Sequence, residues 1–130
     1  MRSNRLRERL NAGEPSLGTR IQIIDPIMVE LIGHSGQYDY VEFVAEYAPY
    51  DLHLLENLGR TVELFDSMTS MMKVEQELRA YLASRAIGAG IQNVLFSDVR
   101  TAEDVEDCVR AVRAETPETG GRHGTSLRRG

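Results

Sequence analysis

The chain has no tryptophan, a single cysteine and four prolines among its 130 residues. One cysteine cannot close an internal disulfide, so a reducing, cytoplasmic setting is the natural expectation. Also missing is any apolar run long enough for a membrane helix or the core of a signal peptide, so no membrane partner is expected. An excess of positive charge is absent too. The net charge is −5, whereas a nucleic-acid-binding domain usually presents a basic face, and no nucleic-acid partner is expected. The basic residues gather at the ends instead: Arg2, Arg5, Arg7 and Arg9, then Arg122, Arg128 and Arg129. Such runs are ordinarily solvated termini, with phosphate or carboxylate binding as the alternative.

What is present is the balance of one small globular domain: 42% hydrophobic and 27% charged residues. Apolar runs of two kinds alternate along it. Residues 4–13 read as a short helix with Leu6 and Leu10 four apart and Gly13 as its stop, and residues 17–24 as a strand. A helix follows, capped by Asp25 with Pro26 at its first position and closed by Gly33 and Gly36. The pattern repeats with a strand over 38–45, a helix from Asp51 to about Phe65 and a strand over 70–74. A helix from residue 78 to Gly88 or Gly90, a strand over 91–96 and a helix started by Thr101 and Asp104 complete it. Residues 116–130 form a Gly- and Arg-rich tail without periodicity. Strands separated by helices demand parallel pairing with right-handed crossovers. Four such units make either an open sheet or half of a (β/α)8 barrel, which takes about 250 residues when complete.

In either case the strand ends collect the chemistry. Asp25, Glu46, Tyr47, Lys73, Glu75, Gln76, Ser97, Asp98 and Arg100 all fall on one rim. Lys73 can neutralise an anionic substrate or pair with Glu46 or Glu75. Asp98 and Arg100 belong to the site or merely to a turn feeding the last helix. His34 reads as a cation at a helix end and His53 as solvent-facing. His123 is flanked by glycines that would let backbone approach an anion, so binding and structural roles both stay open for it. No two histidines have metal-ligand spacing, and there is no phosphate loop or nucleophile elbow.

The segments NRLRERLNAGEPSLGT, DPIMVELIGHSGQYDYVEFVAEYAPYDL, SMMKV, AIGAGIQNVLFSDVRTAEDVEDCVRAVRAE and GGRHGTSLRR, taken in order, resemble the HpcH/HpaI aldolase/citrate lyase family. Within that family the likeness is to its macrophomate-synthase-like side. The resemblance implies a (β/α)8 barrel, of which residues 1–130 would be the N-terminal half. It implies a carbon–carbon lyase: a metal-dependent aldolase with pyruvate or oxaloacetate as the enolate component. Such an enzyme uses Mg²⁺ or Mn²⁺ to hold the keto acid, an Arg to bind its oxygens and a His to move a proton.

Carried over by position, the family pattern Asp-x-Glu-His before Gly/Ala-Pro reads Val44-Ala45-Glu46-Tyr47 before Ala48-Pro49. Glu46 is retained, Val44 replaces the acid, and Tyr47 stands where the proton-transfer His would be. Lys73 aligns with the substrate Arg, keeping the charge and losing the two-pronged grip. The resemblance therefore implies Glu46, Tyr47 and Lys73 as catalytic residues, and Lys73, Gln76 and His123 as substrate contacts. It assigns no metal ligand here, because the family's ligands would lie beyond residue 130. The chain alone is then expected to be inactive and to hold Mg²⁺ or Mn²⁺ weakly or not at all. The alternative is a non-catalytic half-barrel that works only in association with another chain. Open strand edges, with an uncovered apolar interior including Ile21, Ile23, Val41 and Leu95, would favour a homo-oligomer.

Overall fold

The computed structural model describes residues 2–124. The last six residues of the expected tail, with Arg128 and Arg129, lie outside them. Four short strands pair side by side in chain order, every pair parallel: β1 (Gly18–Ile21), β2 (Tyr40–Val44), β3 (Thr69–Val74) and β4 (Asn93–Phe96). Between them run α2 (Pro26–Ser35), α3 (Leu52–Val62) and α4 (Arg79–Gly88), with α1 (Arg5–Ala12) before and α5 (Ala102–Val112) after. The arrangement fits half of a (β/α)8 barrel. Among the described residues, the outer edges of β1 and β4 carry no further strand.

Local chemistry sets most of the boundaries. Asp25, Asp51 and Thr101 cap α2, α3 and α5 by accepting the first free backbone N–H groups. Asp104 completes a capping box with Thr101. Gly13 and Gly36 end α1 and α2 with φ of 68° and 63°, where a side chain would be strained. Gly59 has a different reason: a Cβ there would stand 2.0 Å from the carbonyl oxygen of Ala89, so this face of α3 must stay bare.

The register divides the sheet into two faces. Ile21, Val41, Phe43, Met72 and Val74 point toward the helices, and the core forms where they meet Val29, Leu55, Leu58, Val62, Leu82 and Ala86. The opposite face carries Arg20, Glu42, Val44, Met71, Lys73, Asn93 and Leu95. This corrects the expected open interior. Ile21 and Val41 belong to the closed core, Ile23 lies past the end of β1 in the exposed turn, and only Leu95 is on the open face.

Asp39 joins α1 to the sheet. Its carboxylate contacts Arg5 Nε and Arg9 Nε, each at 3.3 Å, and accepts the Leu17 N–H at 2.9 Å. Its own carbonyl accepts from Thr69. The Leu17 hydrogen bond, joined by Arg9 and Arg5, holds the Asp39 carboxyl below its ordinary range, against the opposing effect of burial. A depressed folded-state pKa contributes stability that is present above the unfolded value, about 3.9, and is lost as pH falls through it toward the lower folded value. Thermal melts from pH 7 to 3 should therefore steepen below about pH 4. Asp39→Asn should start less stable and show a shallower acid slope; parallel slopes in the two proteins would remove Asp39 from this role.

Candidate active site

The rim forms because β2 ends in a tight turn against β3. The N–H groups of Tyr47 and Ala48 both return to the Val44 carbonyl, while the Ala45 N–H donates to the Lys73 carbonyl at 3.1 Å. That bond holds Glu46-Tyr47 beside the end of β3. Lys73, in register with Val44, points onto the open face. Its ammonium contacts the Glu46 carboxylate and lies 5.2 Å from the centre of the Tyr47 ring.

The three side chains bias one another. The Lys73 hydrogen bond, followed by one from Tyr47 and by the Lys73 charge, outweighs burial and keeps the Glu46 carboxyl below the ordinary range. The same bond raises Lys73, so it is held as an ammonium rather than a free amine. A hydrogen bond to Glu46, the Glu46 charge and the charge of Asp98 raise the Tyr47 phenol, against a lowering effect of Lys73. Asp98 lies in the left-handed region at φ 51° and is exposed. The arrangement offers a fixed cation, a protonated phenol and an ionised carboxylate at one strand end. It can bind an anion, stabilise an oxyanion and deliver a proton.

The other rim candidates divide. Glu75 is exposed, and Gln76 is half-buried with its carbonyl taken by Arg79 Nε at 3.2 Å. The Ser97 hydroxyl is spent on the Val74 carbonyl at 2.8 Å. Asp25 is occupied as a cap, and the Arg100 N–H feeds the Asp104 carboxylate. His53 is exposed, and His34 meets the Phe65 ring edge-on at 5.0 Å. His123 is not with the rim. Its N–H donates to the Arg113 carbonyl and its carbonyl accepts from Glu115, just past the end of α5. Helices of a βα unit run back along the sheet, so this position lies at the opposite end of the strands. Within the expected tail, a turn over 117–119 brings His123 into a bridge with Ala114, and His123 is buried.

Three further charged residues, Arg20, Glu42 and Arg79, were not among the expected site residues. Arg20 and Glu42 face each other on the open side, with Arg20 Nε 3.4 Å from Glu42 Oε1. Arg79, at the start of α4, reaches Cys108 Sγ at 3.3 Å and Asp104 Oδ1 at 3.4 Å, tying the loop after β3 to α5. The signal for the first two was available: Arg20, Glu42 and Lys73 are the charged residues inside otherwise apolar strands.

The family resemblance implies a divalent metal. Among the described residues no three His, Cys, Asp or Glu side chains converge to hold one. The one family-matching carboxylate, Glu46, is engaged by Lys73. These residues do not by themselves form a divalent-cation site.

No protein-family model matches the sequence. A hydroxypyruvate/pyruvate aldolase from Pseudomonas aeruginosa is 30% identical over 110 residues, which is 85% of this chain and 40% of that protein. The crystal structure of an HpcH/HpaI aldolase/citrate lyase family protein from Burkholderia cenocepacia superposes with a TM-score of 0.83 at 26% identity, covering 95% of this chain and 49% of that one. Macrophomate synthase, at 17% identity and a TM-score of 0.70, shares the fold. The chain spans 40% of the length of the first of these and about half of the second. In sequence and in fold, the chain is similar to HpcH/HpaI aldolases over about half of their length.

Proposed function

We propose that the protein is a carbon–carbon lyase of the aldolase type, acting on 2-keto acids with pyruvate or oxaloacetate as the enolate component. The observation that carries this is the Lys73–Glu46–Tyr47 cluster at the strand ends, in a chain whose relatives are named aldolases.

Cleaving a 4-hydroxy-2-keto acid breaks the C3–C4 bond. The electron pair passes to C3 and the keto oxygen as an enolate, the C4 hydroxyl gives up its proton as the aldehyde forms, and C3 is later protonated. An ammonium beside the keto oxygen lowers the energy of the enolate. Lys73 is suited to that role, because Glu46 keeps it charged. The same effect makes it a poor imine-forming nucleophile, which would need a depressed pKa. Tyr47, held protonated, serves as proton donor or orienter rather than as a free base. Gln76, half-buried in the loop just beyond β3, remains a candidate substrate contact.

A second reading is a half-barrel that works only when associated with a second copy or another chain; among the described residues the outer edges of β1 and β4 are open to such pairing. One experiment separates the two. Pyruvate release from a 4-hydroxy-2-keto acid is measured with Mg²⁺ or Mn²⁺ added, and association state is determined on the same sample. Release above background supports the lyase. A stable oligomer with none supports the second reading.

A further inference from the structure

α4 begins in a way that its own first residues do not explain. Asn4, Asp25, Asp51 and Thr101 cap α1, α2, α3 and α5 with a side chain, whereas Leu78, at the start of α4, offers none. Leu78 also lies in the left-handed region, at φ 54° and ψ 22°, which is unfavourable for a residue with a Cβ. Its side chain is exposed, so burial of that side chain does not compensate. A conformation of this kind persists only where its surroundings impose it, and such positions concentrate at functional sites.

The group that imposes it is Arg79, whose side chain is only 13% exposed. Its Nε donates to the Gln76 carbonyl at 3.2 Å, while Nη1 meets Cys108 Sγ at 3.3 Å and Asp104 Oδ1 at 3.4 Å. Asp104 holds the next loop by its other oxygen: Oδ2 accepts the N–H groups of Arg100 and Thr101, each at 3.0 Å. Arg79 and Asp104 thus form a strut from the loop after β3 to the loop after β4, covered by the two βα units that it joins. What the strut fixes is the backbone of residues 75–78, directly beyond Lys73 and the end of β3. Gln76 is half-buried there. Its carbonyl is taken by Arg79, and its side-chain amide is engaged by no described residue. A primary amide with two donors and an acceptor unspent, three residues past Lys73, is equipped to hydrogen-bond a ligand at the rim.

We propose that Arg79 is a positioning residue that acts through Gln76: braced by Asp104 and bonded to the Gln76 carbonyl, it fixes the 75–78 loop so that the Gln76 amide contacts the bound 2-keto acid. This rests on the 2-keto-acid reading above and adds the group that sets one of its contacts. It does not depend on how the keto oxygen itself is held.

The test is a double-mutant cycle on pyruvate binding, read from the amide shifts of ¹⁵N-labelled protein with Mg²⁺ present. Gln76→Ala should weaken binding about 10- to 100-fold, the usual range for a hydrogen bond to a charged group. Arg79→Ala should weaken it by a similar factor, and the double variant should bind no more weakly than Gln76→Ala alone. Arg79→Lys keeps a charge facing Asp104 and loses the planar fork, so it should recover part of the loss; it carries the same cycle if truncation unfolds the chain. Without pyruvate, Asp104→Asn should displace the amide resonances of residues 75–78 across the strut. A merely structural Arg79 would weaken binding equally with and without the Gln76 amide, and that result would overturn the inference. So would a Gln76→Ala variant that binds pyruvate like the parent. If the parent shows no pyruvate-dependent shifts, the 2-keto-acid reading falls and takes the positioning role with it, whereas the Asp104→Asn displacements would still report the strut.

Discussion

In a form of the protein that completes the barrel, Tyr47→Phe is expected to slow pyruvate release from a 4-hydroxy-2-keto acid by something like 10²-fold, the scale of general acid–base catalysis. Its thermal midpoint should hardly move. The substitution removes only a hydroxyl from a side chain that is 70% exposed, so little packing is lost. What disappears is the proton. Glu46 raises the phenol above its ordinary value, so Tyr47 carries that proton throughout the neutral range. A donor of this kind loses function only where it ionises. The parent rate should therefore fall on an alkaline limb lying above the ordinary phenol value of about 10, and the variant should lack that limb. Rates measured from pH 6 upward decide the matter. An unchanged turnover would leave Tyr47 as a ring packed beside the Lys73 ammonium and nothing more.

The second large effect is on stability. Phe43→Ala should cost about 3–5 kcal/mol, the range for truncating a buried aromatic. Phe43 is fully buried at the centre of the sheet's helix-facing side and meets Tyr50 edge-on at 5.4 Å. Small domains have total stabilities of only about 5–15 kcal/mol, so much of the folded population should be lost at modest denaturant. Urea unfolding followed by circular dichroism gives the number. A cost below about 1 kcal/mol would mean that the core is not organised around this strand.

Much of this fold could be read directly. Alternating apolar periods, Asp25, Asp51 and Thr101 as caps and Gly13 and Gly36 as stops are local signals, and local chemistry decides them. Element lengths were less legible. The apolar run 17–24 supplies only four strand residues, because Ile23 turns out to solvent while Ile24 folds back into the core. The helix expected to reach Phe65 ends at Val62, and the one expected from residue 78 starts at Arg79, since Leu78 adopts φ 54°. No local pattern announces either change.

The site divides in the same way. Glu46, Tyr47 and Lys73 came together because a strand end fixes its neighbours, and the Ala45–Lys73 hydrogen bond joins two such ends. Arg20 and Glu42 were missed because a charge inside a short strand does not by itself say which face it takes; the register with the neighbouring strands decides that. His123 was misplaced because its glycine neighbours gave it backbone freedom but no address. Its position depends on how the chain turns after α5.

The central claim is that the Glu46–Tyr47–Lys73 rim receives a 2-keto acid. The most direct measurement is a pyruvate titration of ¹⁵N-labelled protein, following backbone amides by NMR. The account predicts saturable shifts at residues 45–48 and 73–76, largely abolished in Lys73→Ala. No shift there at saturating pyruvate, or shifts that persist in Lys73→Ala, would contradict it.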